Sequence, residues 1–301
     1  MLVTSEILDW LLDSDPSVRC QVLRDLTGAP ADEVAGERAR IATEGWGERL
    51  LDTQTPDGWW GGETAGDRWR YALYTMHLLQ QLGVDPADAR VCEAVERTRA
   101  GVTWGAEFGD SAFFDGEVEP CINGRVLVIG AYFGVASEAL YLRLLDEQLE
   151  DGGWNCDAPA SRRGSFHSTV CVLEGLAEFE RGREASAARL AGEEYLLRRG
   201  MFRSLSTGEV VDAGFTHFSF PNGSDYDVLR GLDYLRASGR AADARVREAV
   251  ELVRSRRRPD GRWPFVDPGL SHQHLATETD DGAGSRWNTL RALRVLRWAE
   301  G

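Results

Sequence analysis

The chain is 301 residues long, 43% hydrophobic, and carries a formal charge of −15. That length suits one large domain or two small ones, and an acidic chain without a basic arm is not expected to bind nucleic acid. All 34 basic residues are arginine, which excludes Schiff-base and lysine general-base mechanisms and leaves arginine forks to hold any anion, such as a diphosphate.

The first residues, MLVTSEILDWLLDSD, are acidic and lack the basic start of a signal peptide. No apolar run is long enough to span a bilayer, and five scattered cysteines speak against a disulfide framework. The expectation is a soluble cytoplasmic protein.

In chain order, helical periodicity predicts a short amphipathic helix over 6–12, a break at Asp15-Pro16 and a second helix over 17–26. A polar-faced helix over 35–52 follows, then an apolar one over 68–82. Charged and apolar segments then alternate: 88–100 charged, 121–133 apolar, 137–149 charged on one face, 165–179 apolar, 184–199 charged, 225–235 apolar, 243–257 charged and 286–298 apolar. A helix that is apolar most of the way round must be enclosed, whereas one with a polar stripe can face water. Six such pairs predict an all-α fold, a single α6/α6 toroid over 1–301 with six inner and six outer helices. The long connections, such as 101–120 and 200–224, then lie over the N-termini of the inner helices, where sites are expected.

A short motif recurs along this pattern. Gln54-x3-Gly58-x-Trp60 returns as Gln148-x3-Gly152-x-Trp154 and as Arg257-x3-Gly261-x-Trp263. Asp57, Asp151 and Asp260 precede the glycines, and Leu50, Leu144 and Val253 stand four residues before the Gln or Arg. Asp-Gly turns the chain at a helix end because Gly accepts φ > 0, and the Trp falls back on apolar surface. The three turns stand roughly 100 residues apart, about twice the ~40–50 of a helix-pair repeat, so a degenerate unit is expected between each pair. This element resembles the QW repeat of squalene-hopene and oxidosqualene cyclases, in a superfamily that includes the protein prenyltransferase β subunits. The upstream aromatic of that pattern is replaced by Arg49, Arg143 and Leu252. The resemblance spans nearly the whole chain and implies an α/α toroid acting on a small apolar, isoprenoid-like substrate in a central cavity.

Cys121, Cys156 and His167 all fall at or just before inner-helix starts. Thiolates and imidazole suit Zn²⁺, and three protein ligands leave a catalytic position open. Phe166-His167-Ser168-Thr169 resembles the Tyr-His-Thr segment of protein prenyltransferases, whose His ligates zinc. Their Asp-x-Cys is set against Cys121-x-Asn123 here. Lanthionine cyclases are a further α/α toroid with a Cys/Cys/His zinc. The alternative is three unrelated side chains, since free cysteine is often a small buried hydrophobe, as assigned to Cys20, Cys92 and Cys171.

The middle Asp of the class II cyclase Asp-x-Asp-Asp motif protonates an alkene, and that motif is absent. Asp225-Tyr226-Asp227 is a truncated echo that makes Asp227 a candidate acid with Asp225 beside it; Asp280 and Asp281 read as helix caps. His217, His272 and His274 in the loops are candidate bases or a fourth ligand. Trp69, Tyr132, Phe166, Phe218, Tyr226 and Trp287 are candidates to line an apolar pocket, although aromatics at helical spacing also pack cores. Three functions therefore stand open: a zinc enzyme using Cys121, Cys156 and His167, a metal-free cyclase using Asp227, and a non-catalytic toroid that binds a lipid or a protein.

Overall fold

The computed structural model describes residues 3–61, 65–223, 225–267, 269, 277–279 and 282–301. The chain is all-helical, as the alternation predicts. Its helices are α1 (Ser5–Leu12), α2 (Pro16–Val22), α3 (Ala31–Arg40), α4 (Gly45–Asp52), α5 (Ala65–Leu82), α6 (Ala89–Gly101), α7 (Pro120–Tyr132), α8 (Glu138–Asp146), α9 (Phe166–Phe179), α10 (Ala187–Arg198), α11 (Val228–Ala237), α12 (Arg247–Ser255) and α13 (Arg286–Glu300). Among the described residues there is no strand, only isolated antiparallel bridges. No helix among them is long and apolar enough to cross a membrane.

Helix starts follow local chemistry. Thr4, Asp88, Ser137, Ser186, Asp227 and Ser285 each accept a backbone N–H of the first turn, which satisfies donors the helix leaves unpaired. One boundary differs from expectation. The helix predicted over 35–52 is two helices, α3 and α4, because the chain turns at Gly45 with φ +69°. Asp15 accepts the Trp46 N–H at 2.7 Å there, and a Cβ on Gly45 would lie 2.1 Å from the same carboxylate. Arg40 and Glu44 pair across the break.

The helices expected to be inner are α2, α5, α7, α9, α11 and α13. Successive members pack on one another from α5 to α13, and α13 packs on α2. Gln21 on α2 reaches α5 through the Gln81 and Leu82 carbonyls at 3.0 and 3.2 Å, so the contacts form a closed circuit. The tightest approach is α7 on α9. A Cβ on Gly124 would stand 2.5 Å from the Cys171 carbonyl, and one on Gly175 would stand 2.4 Å from the Gly124 oxygen, so only glycine permits this separation.

The repeated turn is the joint of the structure. The indole N–H of Trp60 donates to Leu50 O at 2.8 Å, that of Trp154 to Leu144 O at 2.7 Å, and that of Trp263 to Val253 O at 2.8 Å. In each case the fully buried ring covers the end of the preceding helix and bonds one of its last-turn carbonyls. The Gln54 amide bonds Gly58 O and Ala94 O on α6, the Gln148 amide bonds Gly152 O and Ala188 O on α10, and Arg257 bonds Gly261 O. The glycines, all near φ +85°, press on the next outer helix: Gly58 on Arg97, Gly152 on Ala191 and Gly261 on Ile7 of α1. The third turn therefore docks on the first helix of the chain. Bridges Thr103–Ala112 and Arg203–Val210 mark the intervening units, which keep the loop pairing and lose the full motif.

Replacing Trp154 with alanine removes a fully buried ring and its bond, and should destabilise the protein by roughly 3–5 kcal/mol. Chemical denaturation measures this; an unchanged midpoint would contradict the structural role.

Candidate functional site

The turn at Gly152 also builds a site. The Asp151 carboxylate accepts the N–H groups of Gly153 and Gly164 at 3.1 and 3.0 Å. Trp154 N–H donates to Thr169 Oγ1 at 3.0 Å, and Ser165 N–H donates to Trp154 O at 2.7 Å. These bonds pin the loop over the start of α9, so the residue two beyond the Trp has little freedom. That residue is Cys156. Its N–H donates to Ser168 Oγ at 3.3 Å, and its Sγ lies 3.3 Å from the same hydroxyl.

The second thiol comes from the neighbouring helix. Pro120 starts α7 with φ already helical, which puts Cys121 in its first turn. The residues before it are tied down: Asn123 accepts Glu117 N–H at 2.8 Å and donates to Glu117 O at 3.0 Å, and the Glu117 carboxylate accepts Glu119 N–H at 2.7 Å. Cys121 Sγ lies 3.6 Å from Glu119 Oε2. One ligand atom each from Glu119, Cys121 and Cys156 lies within 4.8 Å of the others, a cluster that can hold a metal ion.

The two thiols are unequal. Cys121 donates to Cys156, and that bond with the Ser168 hydroxyl holds the Cys156 thiol below the usual cysteine range. Cys121, as the donor and partly buried, is pushed up. Of the pair, Cys156 is therefore the thiol more readily ionised, and thiolate is the form that attacks or ligates.

His167, expected as the third ligand, is not a member of this cluster. Its Nδ1 accepts the Tyr226 N–H at 2.9 Å and stands 3.8 Å from Asp225 Oδ1, with Phe215 against the ring at 5.3 Å. The lead-in to α11 has drawn the imidazole away. Glu119, two residues before Cys121, takes the third place.

The other candidates are scattered. Asp227 caps α11, with Oδ1 accepting Arg230 N–H at 2.7 Å and Oδ2 accepting from Asn222 at 3.3 Å, and burial pushes its carboxyl up. Asp225 is exposed, and His217 sits on an exposed turn with Nδ1 3.1 Å from Ala213 O. His272, His274, Asp280 and Asp281 lie outside the described residues.

A cavity of about 470 Å³ lies among the helices of the closed circuit, lined by Gln21, His77, Val128, Glu174, Arg230 and Arg291, one or more from each. Its floor is the buried group Phe220, Asn222 and Trp287; its rim includes exposed Arg181 and Arg183 beyond α9 and Ala237 at the end of α11. It thus opens toward the C-terminal ends of α9 and α11, whereas the cysteines stand at helix N-termini and do not line it.

Of the six aromatics expected around an apolar pocket, Trp287 alone lines this cavity. Trp69 packs on Trp104 at 4.9 Å. Tyr132 donates to Val84 O at 2.6 Å and accepts from Arg38 at 2.9 Å. Phe166 and Tyr226 pack together at 5.0 Å, with the Tyr226 hydroxyl on Met201 O at 2.6 Å. Phe218 is buried, its carbonyl accepting from Asn288 at 2.7 Å. These rings are core, and the wall that replaces them is charged.

In metal-free protein, iodoacetamide should label Cys156 with a pH midpoint below the usual ~8.5. Labelling is lost as pH falls through the depressed pKa. Ser168→Ala and Cys121→Ser should each move the midpoint up; a midpoint indifferent to both would contradict the hydrogen-bonded pair.

No family model matches the chain, and no curated protein does. Among solved structures, the crystal structure of a protein from Actinoplanes is similar over 96% of this chain and 91% of that chain, at 18% identity and a TM-score of 0.43. A likeness at that level carries no argument about fold or function.

Proposed function

We propose that the chain is an α/α-toroid enzyme whose metal centre is Glu119, Cys121 and Cys156, and that the metal is zinc. The observation that carries this is the convergence of two thiols and a carboxylate from segments more than thirty residues apart. Soft sulfur donors select zinc over magnesium or calcium, and three protein ligands are the pattern of a catalytic site. Zinc held there supplies a Lewis acid or an activated thiolate or water.

The protein's own groups are arranged for that chemistry. Ser168 orients Cys156 and helps lower its pKa. Glu119 is exposed and leaves the cluster approachable from outside. His167, with Nδ1 occupied as an acceptor, carries its proton on Nε2 when neutral, and so offers a donor at the start of α9.

The resemblance to cyclases and prenyltransferases supports membership of that superfamily and an isoprenoid-like substrate; the charged cavity wall does not add to the case for an apolar one. The metal-free alternative with Asp227 as acid is less favoured, because its oxygens are engaged in capping α11 and in the Asn222 contact. A non-catalytic binding toroid has no use for a thiol held below its usual range beside a second thiol and a carboxylate.

Protein purified without a His tag should contain about one zinc per chain by elemental analysis. Cys121→Ser and Cys156→Ser should abolish its retention with little change in helical circular dichroism, Glu119→Gln should weaken it about 10-fold or more, and His167→Ala should leave it in place. Failure of the wild-type protein to retain added zinc would overturn the centre; loss in His167→Ala alone among Glu119 and His167 variants would restore the Cys/Cys/His set.

A further inference from the structure

The central cavity is separate from the metal cluster, and its wall has its own charge pattern. Arg230, Arg291 and Arg294 reach it from α11 and α13 and are 2%, 4% and 6% exposed. Arg230 is matched: Nε and Nη2 donate to the two oxygens of Glu174 at 2.9 and 2.6 Å, and Nη1 donates to Gly223 O and Asp225 O. Arg294 pairs with Asp25 and donates to Gln21 Oε1 at 2.7 Å. Asp233, on the same wall, is held by Arg236 at 2.7 Å and lies 4.0 Å from Arg291 Nε. Arg291 is left with Ser219 O at 3.0 Å and Asn288 Oδ1 at 3.5 Å, both from the single nitrogen Nη1.

Behind the wall stands Arg125 of α7, 2% exposed, whose Nε and Nη2 are buried without hydrogen-bond partners. Its charge reaches His77 and Arg230, which do line the cavity. Arg294 Nε and Trp287 Nε1, on wall residues, lack partners as well. After pairing, Arg125 has no ion-pair partner among the described residues, and Arg291 has only a distant, shared one in Asp233 at 4.0 Å, with buried Asp227 in its field. A buried cation without an anion is costly. The surplus is local placement rather than general basicity, because the whole chain carries −15.

We propose that the central cavity binds a small organic anion, bearing carboxylate or phosphoryl groups, which enters past the ends of α9 and α11 and sets its charge against Arg291 and Arg294. The volume suits a small molecule. The rim agrees: Glu178 and Glu180 are engaged by Arg181 and Arg189, while Arg183 lies over the Phe179 ring at 5.5 Å and adds a cation near the entrance. The floor offers a flat apolar surface, Phe220 stacked on Trp287 at 4.1 Å. Burial holds Arg294 down to about 10 and His77 well below its usual range; an anion among them favours the charged form of each.

Thermal shift and calorimetry at constant ionic strength test this, with pyrophosphate and citrate as phosphoryl and carboxylate probes and chloride as control. At a hundredfold excess over Kd, at least one probe should raise Tm by about 4 °C. Arg291→Met should lose 10-fold or more in affinity, Arg183→Ala should lose less, and Cys156→Ala should bind as the wild type does. Should Arg291→Met fail to fold, Arg291→Lys and Arg183→Ala carry the comparison, and both should weaken binding. No shift with either probe, an equal shift with chloride, or affinity unchanged by the arginine substitutions would overturn the proposal.

Discussion

An indole N–H bonded to a carbonyl ten residues back is the contact on which the rest depends. Trp60, Trp154 and Trp263 each bond a carbonyl of the last helical turn while filling the space beneath it. A single bond of this kind is modest, about 1 kcal/mol net; the fully buried ring and the cavity that its loss would leave make the joint worth several times more. The glycine two residues earlier then sits against the next outer helix with no room for a side chain. Because Gly261 meets Ile7, the same joint ties the last unit to the first helix, and Arg262 and Arg286 reinforce it over the Trp10 ring at 4.2 and 4.8 Å.

Position and chemistry are linked through that joint. The turn at Trp154 and the glycine-tight packing of α7 on α9 together set the distance between Cys156 and Cys121. Neither segment alone defines a site; one contributes a loop pinned by Asp151 and Thr169, the other a helix start fixed by Pro120 and Asn123. The charged cavity depends on the same framework from the other end. Arginines sit deep among the helices because the backbone circuit around them is closed by apolar packing elsewhere, leaving the inward stripe free to be polar.

Much of this was legible in the sequence, for a physical reason. Burial all round and burial on one face both leave helical periodicities, so the all-helical class was plain, and the Gln-Gly-Trp spacing announced its turns. The break at Gly45 was hidden because its determinant, Asp15, lies thirty residues away. His167 was misplaced because a helix start predicts where a ring begins and not which neighbour claims its nitrogen; Tyr226 N–H does so from 59 residues further on. Glu119 left little sign in the sequence, because an acid just ahead of a helix start is common without any ligand role. The cavity was missed for a subtler reason. Trp287, Arg291 and Arg294 follow the i, i+4, i+7 stripe of α13, but the surrounding leucines made the helix read as apolar, and long arginine stems are compatible with either place. The aromatics expected to line a pocket had ordinary packing to do.

X-ray absorption at the zinc edge of the zinc-loaded protein tests the central claim, that the Trp154 turn delivers Cys156 to Cys121 and Glu119 to make one centre. The account predicts a first shell of two sulfurs with light oxygen donors and no imidazole signature, and the loss of one sulfur in Cys156→Ser. A shell dominated by oxygen and nitrogen, or an imidazole signature that disappears in His167→Ala, would contradict it.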